Sequence, residues 1–295
     1  ISLDNSYFVE DFGVVKYVSN KQEENALAIK KMIESNFKLL FSEGYYYISE
    51  ILIDNNDITE IFIKGQSYGD SINSDKNTRI YCANFLKLNK DSYTRLKLEG
   101  IHFIGQNRIG ACIGQEFPTS IKDLFIDSSY CNFYNFDKAI YTNGYMTSLN
   151  VYKNYFGGNK TGIYSVEASN FSKISNTDFI SNEIACRISG FQTIIEQCQL
   201  SMFDANYIVD KTVGFWIEYG ATTISNIYYE EYSYTPELMT PDKFSMFKLK
   251  IRNGEPNEYV NIKDTTFVFD DYITHLEVEG NFDNAINING TKDYY

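Results

Sequence analysis

Six carboxylates in the second half of the chain stand where glycan chemistry could use them. Asp178 and Glu196 have the acid/base role as their expected chemistry, with Glu183, Asp204, Glu218 and Glu230 as further candidates. Cutting a glycosidic bond takes two carboxyl groups, roughly 5–5.5 Å apart for retention and roughly 6.5–9.5 Å for inversion. Tyr152, Tyr155, Tyr164 and Trp216 could stack on sugar rings, and Arg187 could meet an acidic sugar. Trp216, Glu218, Glu230 and Glu231 fall in one dense patch, FWIEYGATTISNIYYEEYSY, at 215–234.

These residues matter only if the backbone repeats. Five segments align on one apolar position, at Phe103, Phe133, Phe156, Phe179 and Leu200, with gaps of 30, 23, 23 and 21 residues. A period of roughly 20–50 residues marks a solenoid, because a single unit cannot bury its apolar face without stacked neighbours. Within each unit apolar and polar residues alternate, punctuated by Gly, Asn, Ser and Asp, with no helical stripe. The expected fold is all-β, a single-stranded parallel β-helix whose equivalent positions form columns about 4.8 Å per coil.

The alignment predicts specific columns. Seven residues past the anchors it places Gly110, Ile140, Ile163, Cys186 and Tyr207, mostly apolar. Three past, Asn159 and Asn182 coincide, as in an amide ladder. Four past, it reads Asn107, Asp137, Lys160, Glu183 and Asp204, which turn chemistry alone would also produce. Eight past stand Tyr141, Tyr164 and Arg187; one before, His102, Asn132, Tyr155, Asp178 and Gln199; four before, Glu99, Ser129, Tyr152, Ser175 and Glu196. Asp178 and Glu196 differ in parity, so a bend must lie between them if both are to reach one face.

Composition narrows the class. The chain has 295 residues with 25 Tyr, 22 Phe and a net charge of −13. That charge argues against nucleic acid, whose binding rests on Lys and Arg. No run reaches the roughly 18 apolar residues of a membrane helix, so membrane insertion is not expected. Five cysteines show no metal-ligand spacing and are expected as buried thiols; no metal or other cofactor is expected.

The N-terminal fifty residues add a second signal. Glu10-Asp11-Phe12-Gly13-Val14, then Asn25-Ala26-Leu27-Ala28-Ile29, then Leu39-Leu40-Phe41-Ser42-Glu43-Gly44-Tyr45-Tyr46-Tyr47-Ile48 resemble the opening segment of the pectate-lyase-like superfamily. The similarity is greatest to bacteriophage tailspikes and capsule depolymerases. Ser42 stands where that pattern has Pro, and Glu23-Glu24-Asn25 where it has an Asp pair. Independently, Ala26, Ile29 and Ile33 lie on one helical side, so a helix over 23–35 is expected to close the first coil's open edge.

The resemblance implies a right-handed helix, an extracellular or virion-tail location, a homotrimer, and a bacterial surface polysaccharide as partner. The organisation expected is a capping segment over 1–35 and a β-helix over 36–295, interrupted by a loop excursion at about 235–258. The function expected is cleavage of capsule or O-antigen polysaccharide, by hydrolase or lyase chemistry. The alternative is a non-catalytic glycan-binding module, since no complete catalytic motif is present.

Overall fold

A computed structural model describes residues 5–67, 76–90, 92–116, 123–143, 147–169, 171–202, 212–231, 244–250, 259–268, 274–279, 286–290 and 292–294. The chain winds as a right-handed parallel β-helix whose coils each cross three faces. Face one includes Thr94–Glu99, Leu124–Ser129, Thr147–Tyr152 and Ser172–Ser175. Among the described residues face two is a ten-stranded ladder of short strands, including His102–Ile104, Asn132–Tyr134, Tyr155–Gly157 and Asp178–Ile180. Face three carries Ala111–Glu116, Lys138–Asn143 and Thr161–Ser169. Ile184–Glu196 and Thr212–Ser225 run from face three into face one, which joins those faces into one eighteen-stranded sheet.

The anchors stack as the repeat predicts. Phe103, Phe133, Phe156 and Phe179 are paired in register, and their rings lie 5.2, 4.9 and 5.1 Å apart between neighbours. Interplanar angles of 14°, 8° and 10° make this one continuous interior stack. Leu200 and Tyr229 extend the column, both buried. Beside it Asn159 donates to Asn182 Oδ1 at 2.9 Å and to the Phe133 carbonyl at 3.0 Å, so the buried corner is satisfied by an amide ladder. All five cysteines are buried free thiols packed in this interior.

Two of the expected column positions are different in the structure. The residue paired with Ile140 is Ile113 and not Gly110, because extra residues around the left-handed Asn107 and Arg108 lengthen that coil. Gly110 instead lines up with Asp137, where Asn107 was expected, and its carbonyl accepts from the Asp137 N–H at 3.0 Å. The partner of Cys186 is Phe215; Tyr207 lies outside the described residues. Phe244–Lys250, inside the expected loop excursion, is a strand paired with 212–218 and 274–279. Its alternation of buried Phe247 and Leu249 with Lys248 and Lys250 is the coil pattern, which the surrounding charges and prolines obscured.

The N-terminal helix spans Gln22–Glu34 and buries Ala26, Ile29, Met32 and Ile33 against the first coil. Asn25 fixes its position, accepting from the Val15 N–H at 2.8 Å and donating to the carbonyls of Val15 and Tyr47, each at 3.0 Å. Glu10 accepts from the hydroxyls of Ser42 and Tyr46 and pairs with Lys16 at 3.2 Å. Ser42, the departure from the superfamily pattern, thus supplies a donor that proline lacks.

From Thr94–Glu99 onward, the described turns from face one to face two each pass through a single left-handed residue. Gly100, Tyr130, Lys153, Asn176, Gln197, Asn226, Asp264 and Gly290 all have φ between 50° and 72°. Such angles are strained for residues other than Gly, and Asn and Asp tolerate them best. This corner decides which side chains share a face.

Candidate functional site

An open groove of about 370 Å³ runs along face one beside that corner. Two outward columns form its floor: Lys97, Asp127, Asn150 and Lys173, then Ser129, Tyr152, Ser175 and Glu196. The corner residues Tyr130 and Asn176 form its rim. The Tyr130 and Tyr152 rings meet edge-on at 6.0 Å, and Lys153 Nζ lies 5.6 and 5.3 Å from their centroids. A hydrogen bond to Tyr152 and the nearby tyrosines hold the Lys153 ammonium above its ordinary value.

Charges are distributed evenly along the groove. Asn150 Nδ2 donates to Asp127 Oδ1 at 3.1 Å, and Arg95 stands 3.9 Å from the same carboxylate. Lys173 pairs with Glu196 at 2.7 Å. Just outside, Glu99 is held by Lys64 at 2.7 Å and by Lys97 at 3.9 Å. Asp127 and Glu196 are separated by three coils, roughly 14 Å of axis, which is too far for one bond. Glu99 and Asp127 lie on adjacent coils in neighbouring outward columns, roughly 8 Å apart at the backbone.

Of the residues expected from sequence, Tyr152 and Glu196 are in this groove. Asp178 and Tyr155 lie past the corner on face two, paired with each other in adjacent strands. The left-handed Asn176 and Gln197 turn their coils from face one to face two, leaving Glu196 before the corner and Asp178 past it, so the structure does not bring this pair to one face. In the same column His102 and Asn132 are buried, and Asn132 Nδ2 donates to His102 Nε2 at 3.0 Å. Glu230 is also on face two, beside Tyr228, whose hydroxyl burial and this carboxylate push up.

The remaining candidates form a separate ladder on face three. Tyr141, Tyr164, Arg187, Trp216 and Lys248 are in register on successive coils. Arg187 lies between two rings, 5.2 Å from the Tyr164 centroid and 3.9 Å from that of Trp216, and Lys248 caps Trp216 at 4.4 Å. Glu218, only 5% exposed, accepts from Arg187 Nε at 2.6 Å. Glu183 pairs with Arg108 at 2.8 Å, and Asp137 with Lys160 at 3.2 Å, at the corner before face three. Asp204 lies outside the described residues. Among the described residues no three His, Cys, Asp or Glu side chains gather as a metal site.

Sequence reasoning missed Asp127, Asn150, Lys97 and Lys173. They form the column two residues upstream of Glu99, Ser129, Tyr152 and Ser175, and the same alignment extended by two positions would have found them.

Fold and columns together define a right-handed parallel β-helix. Neither a protein-family model nor a curated protein sequence matches the chain. Solved structures do. The A-module of mannuronan C-5 epimerase AlgE6 from Azotobacter vinelandii is 12% identical with a TM-score of 0.36, over 98% of this chain and 99% of that one. The Agl-KA catalytic domain is 12% identical with a TM-score of 0.28, over 99% and 69%. Tailspike protein 3 of bacteriophage CBA120 is 9% identical with a TM-score of 0.21, over 98% and 62%. At these identities and scores no residue's role passes from them to this chain.

Proposed function

We propose that this protein binds a bacterial surface polysaccharide, capsule or O-antigen, in the face-one groove and cleaves it as a tailspike-type depolymerase. The observation that carries this reading is the groove itself, open along the axis and walled by Tyr130 and Tyr152. Its floor alternates ammonium, carboxylate and amide groups, which suits a polymer of hydroxylated and charged sugars. Glu99 and Asp127, on adjacent coils, are the carboxylates that hydrolysis would use as a pair. Lys97, Lys173 and Tyr152 supply what β-elimination at a uronate needs: a charge for the carboxylate and a group to move the ring proton. Glu196 and Asp178 contact the sugars on the two sides of the corner. The tailspike-like N-terminal segment supports a homotrimer in an extracellular or virion-tail setting.

A second reading, a glycan-binding module without catalysis, is favoured by one observation. Glu99, Asp127 and Glu196 each stand beside a cation, a contact that a catalytic carboxyl would have to exchange for the scissile oxygen. Incubation with a panel of capsular and O-antigen polysaccharides separates the readings. New reducing ends alone indicate hydrolysis; reducing ends with unsaturated-uronate absorbance indicate elimination. Retention on immobilised polymer with neither product indicates binding only, and no retention on any polymer rejects both.

A further inference from the structure

Face three presents one outward column with a gap in it. On successive coils it reads Lys87, Gly114, Tyr141, Tyr164, Arg187, Trp216 and Lys248. Six of the seven carry long or ring-bearing side chains; Gly114 carries none. The result is a notch of about 190 Å³, bordered by Lys87 on one side and Tyr141 on the other, with Glu50, Asn84, Asp137 and Lys138 around it. That space is well above what one water needs, so a small molecule can enter it. Gly114 is not there for its backbone. A Cβ at this position would meet only the Ala111 Cβ, at 3.6 Å, an ordinary contact, and its φ is not left-handed. The polypeptide would accept a side chain here, so the opening is not a requirement of the coil.

We propose that this notch is a second carbohydrate subsite, taking a single pyranose unit such as a branch or terminal sugar. The inference rests on the reading that this protein handles glycans, but it names a site on a different face from the groove. The notch has an aromatic wall, two carboxylates to accept from ring hydroxyls and two ammonium groups to donate to them. Its partners are fixed in place. Asp137 is held by Lys138 at 3.1 Å and Lys160 at 3.2 Å, and Lys138 lies 4.9 Å from the Tyr141 ring centroid. Asn84 is committed to the backbone, its Oδ1 accepting from the Ala111 N–H at 2.8 Å. A rigid polar recess with one ring suits a compact polyhydroxylated ligand better than an apolar one.

The test is saturation-transfer NMR on the full chain with two probes at millimolar concentration, methyl glucopyranoside and glucuronic acid. Transfer from the protein to at least one is expected, and the two arms show whether hydroxyls suffice or a carboxylate is required. Gly114→Leu fills the notch and is expected to abolish the transfer. Tyr141→Ala removes the wall and is expected to weaken binding by about tenfold. Glu196→Gln, in the groove, is expected to leave it intact. Absence of transfer from both sugars, or transfer that survives Gly114→Leu, overturns the subsite. Transfer lost in Glu196→Gln instead relocates the sugar to the groove, which rejects the subsite and leaves the depolymerase reading standing. Conversely, sugar bound in the notch with no polymer retained or cut upholds the subsite while the depolymerase reading fails.

Discussion

Lys173 and Glu196 meet across one coil boundary, Nζ to Oε1 at 2.7 Å, although their own strand partners are Ile194 and Ser175. The ion pair is therefore diagonal, crossing from one outward column to the next. It closes the C-terminal end of the groove, while Lys97 and Asp127 stand at the other end. A polymer entering the groove must displace or exploit this contact. Because both side chains are substantially exposed, the pair adds little to stability. Its weight falls on ligand binding.

Asp127→Asn is expected to lower polysaccharide turnover by about 10²–10⁴-fold if Asp127 is an acid or base. Glu196→Gln is expected to weaken glycan retention while changing turnover less. Urea midpoints should stay near wild type for both. Equal turnover by wild type and Asp127→Asn on a polymer that wild type cleaves would remove Asp127 from the chemistry.

The amide ladder gives a stability prediction. Asn159→Ala removes the side-chain partner of two buried backbone groups at once, the Phe136 N–H and the Phe133 carbonyl, while Asn182 Oδ1 keeps the Asn159 backbone N–H. Unsatisfied buried polar groups cost about 1–3 kcal/mol each, so a loss of about 3 kcal/mol is expected in urea unfolding. Asn150→Ala, whose amide meets Asp127 near the surface, should lose less than about 1 kcal/mol.

Arg187 and Glu218 lend themselves to a double-mutant cycle. Arg187→Ala leaves the buried Glu218 carboxylate without this partner and is expected to cost about 3–5 kcal/mol. Adding Glu218→Gln removes the stranded charge and should recover part of that loss. Additive losses in urea unfolding would show that the pair is not coupled.

Acid sensitivity follows from two carboxylates. Burial pushes the Asp137 carboxyl up, but Lys138 and Lys160 outweigh it and hold it below the ordinary value. Burial acts the same way on Glu10, where the Ser42 and Tyr46 hydroxyls prevail and its value is again lowered. A folded value below the unfolded one means that both contributions are complete above about pH 4–5 and are lost as pH falls through the folded values. The urea midpoint should therefore drop on acidification below about pH 4, and less steeply in Asp137→Asn and Glu10→Gln. An identical slope in the variants would assign the acid sensitivity elsewhere.

The phenylalanine stack, the amide ladder and the capping helix were legible because each rests on a strict spacing or a simple amphipathic pattern. Phe133, Phe156 and Phe179 repeat every 23 residues, and nothing between them breaks the count. Gly110 was misaligned because the extra residues before it add length without adding a column. The groove was only half legible. Tyr152 and Glu196 were assigned to the right columns, but Asp178 was joined to them across a corner whose left-handed backbone sequence does not announce. Lys153, Tyr130 and Gln197 occupy that conformation without being Gly or Asn. By residue type Trp216 and Arg187 suit separate sugar contacts, whereas register sets them against each other.

The 23-residue offset has a consequence for length. Phe133 to Phe156 and Phe156 to Phe179 are the same step, and Asn159 hands its hydrogen bonds to Asn182 over that step. A stretch such as 156–178 is therefore a removable module: cutting it out would splice Tyr155 to Phe179 and leave every interior column continuous. Chains of this kind can change the reach of their binding surface by whole coils, about 4.8 Å at a time, without redesigning a core. Here that arithmetic applies to the groove itself, whose floor is the same repeated unit.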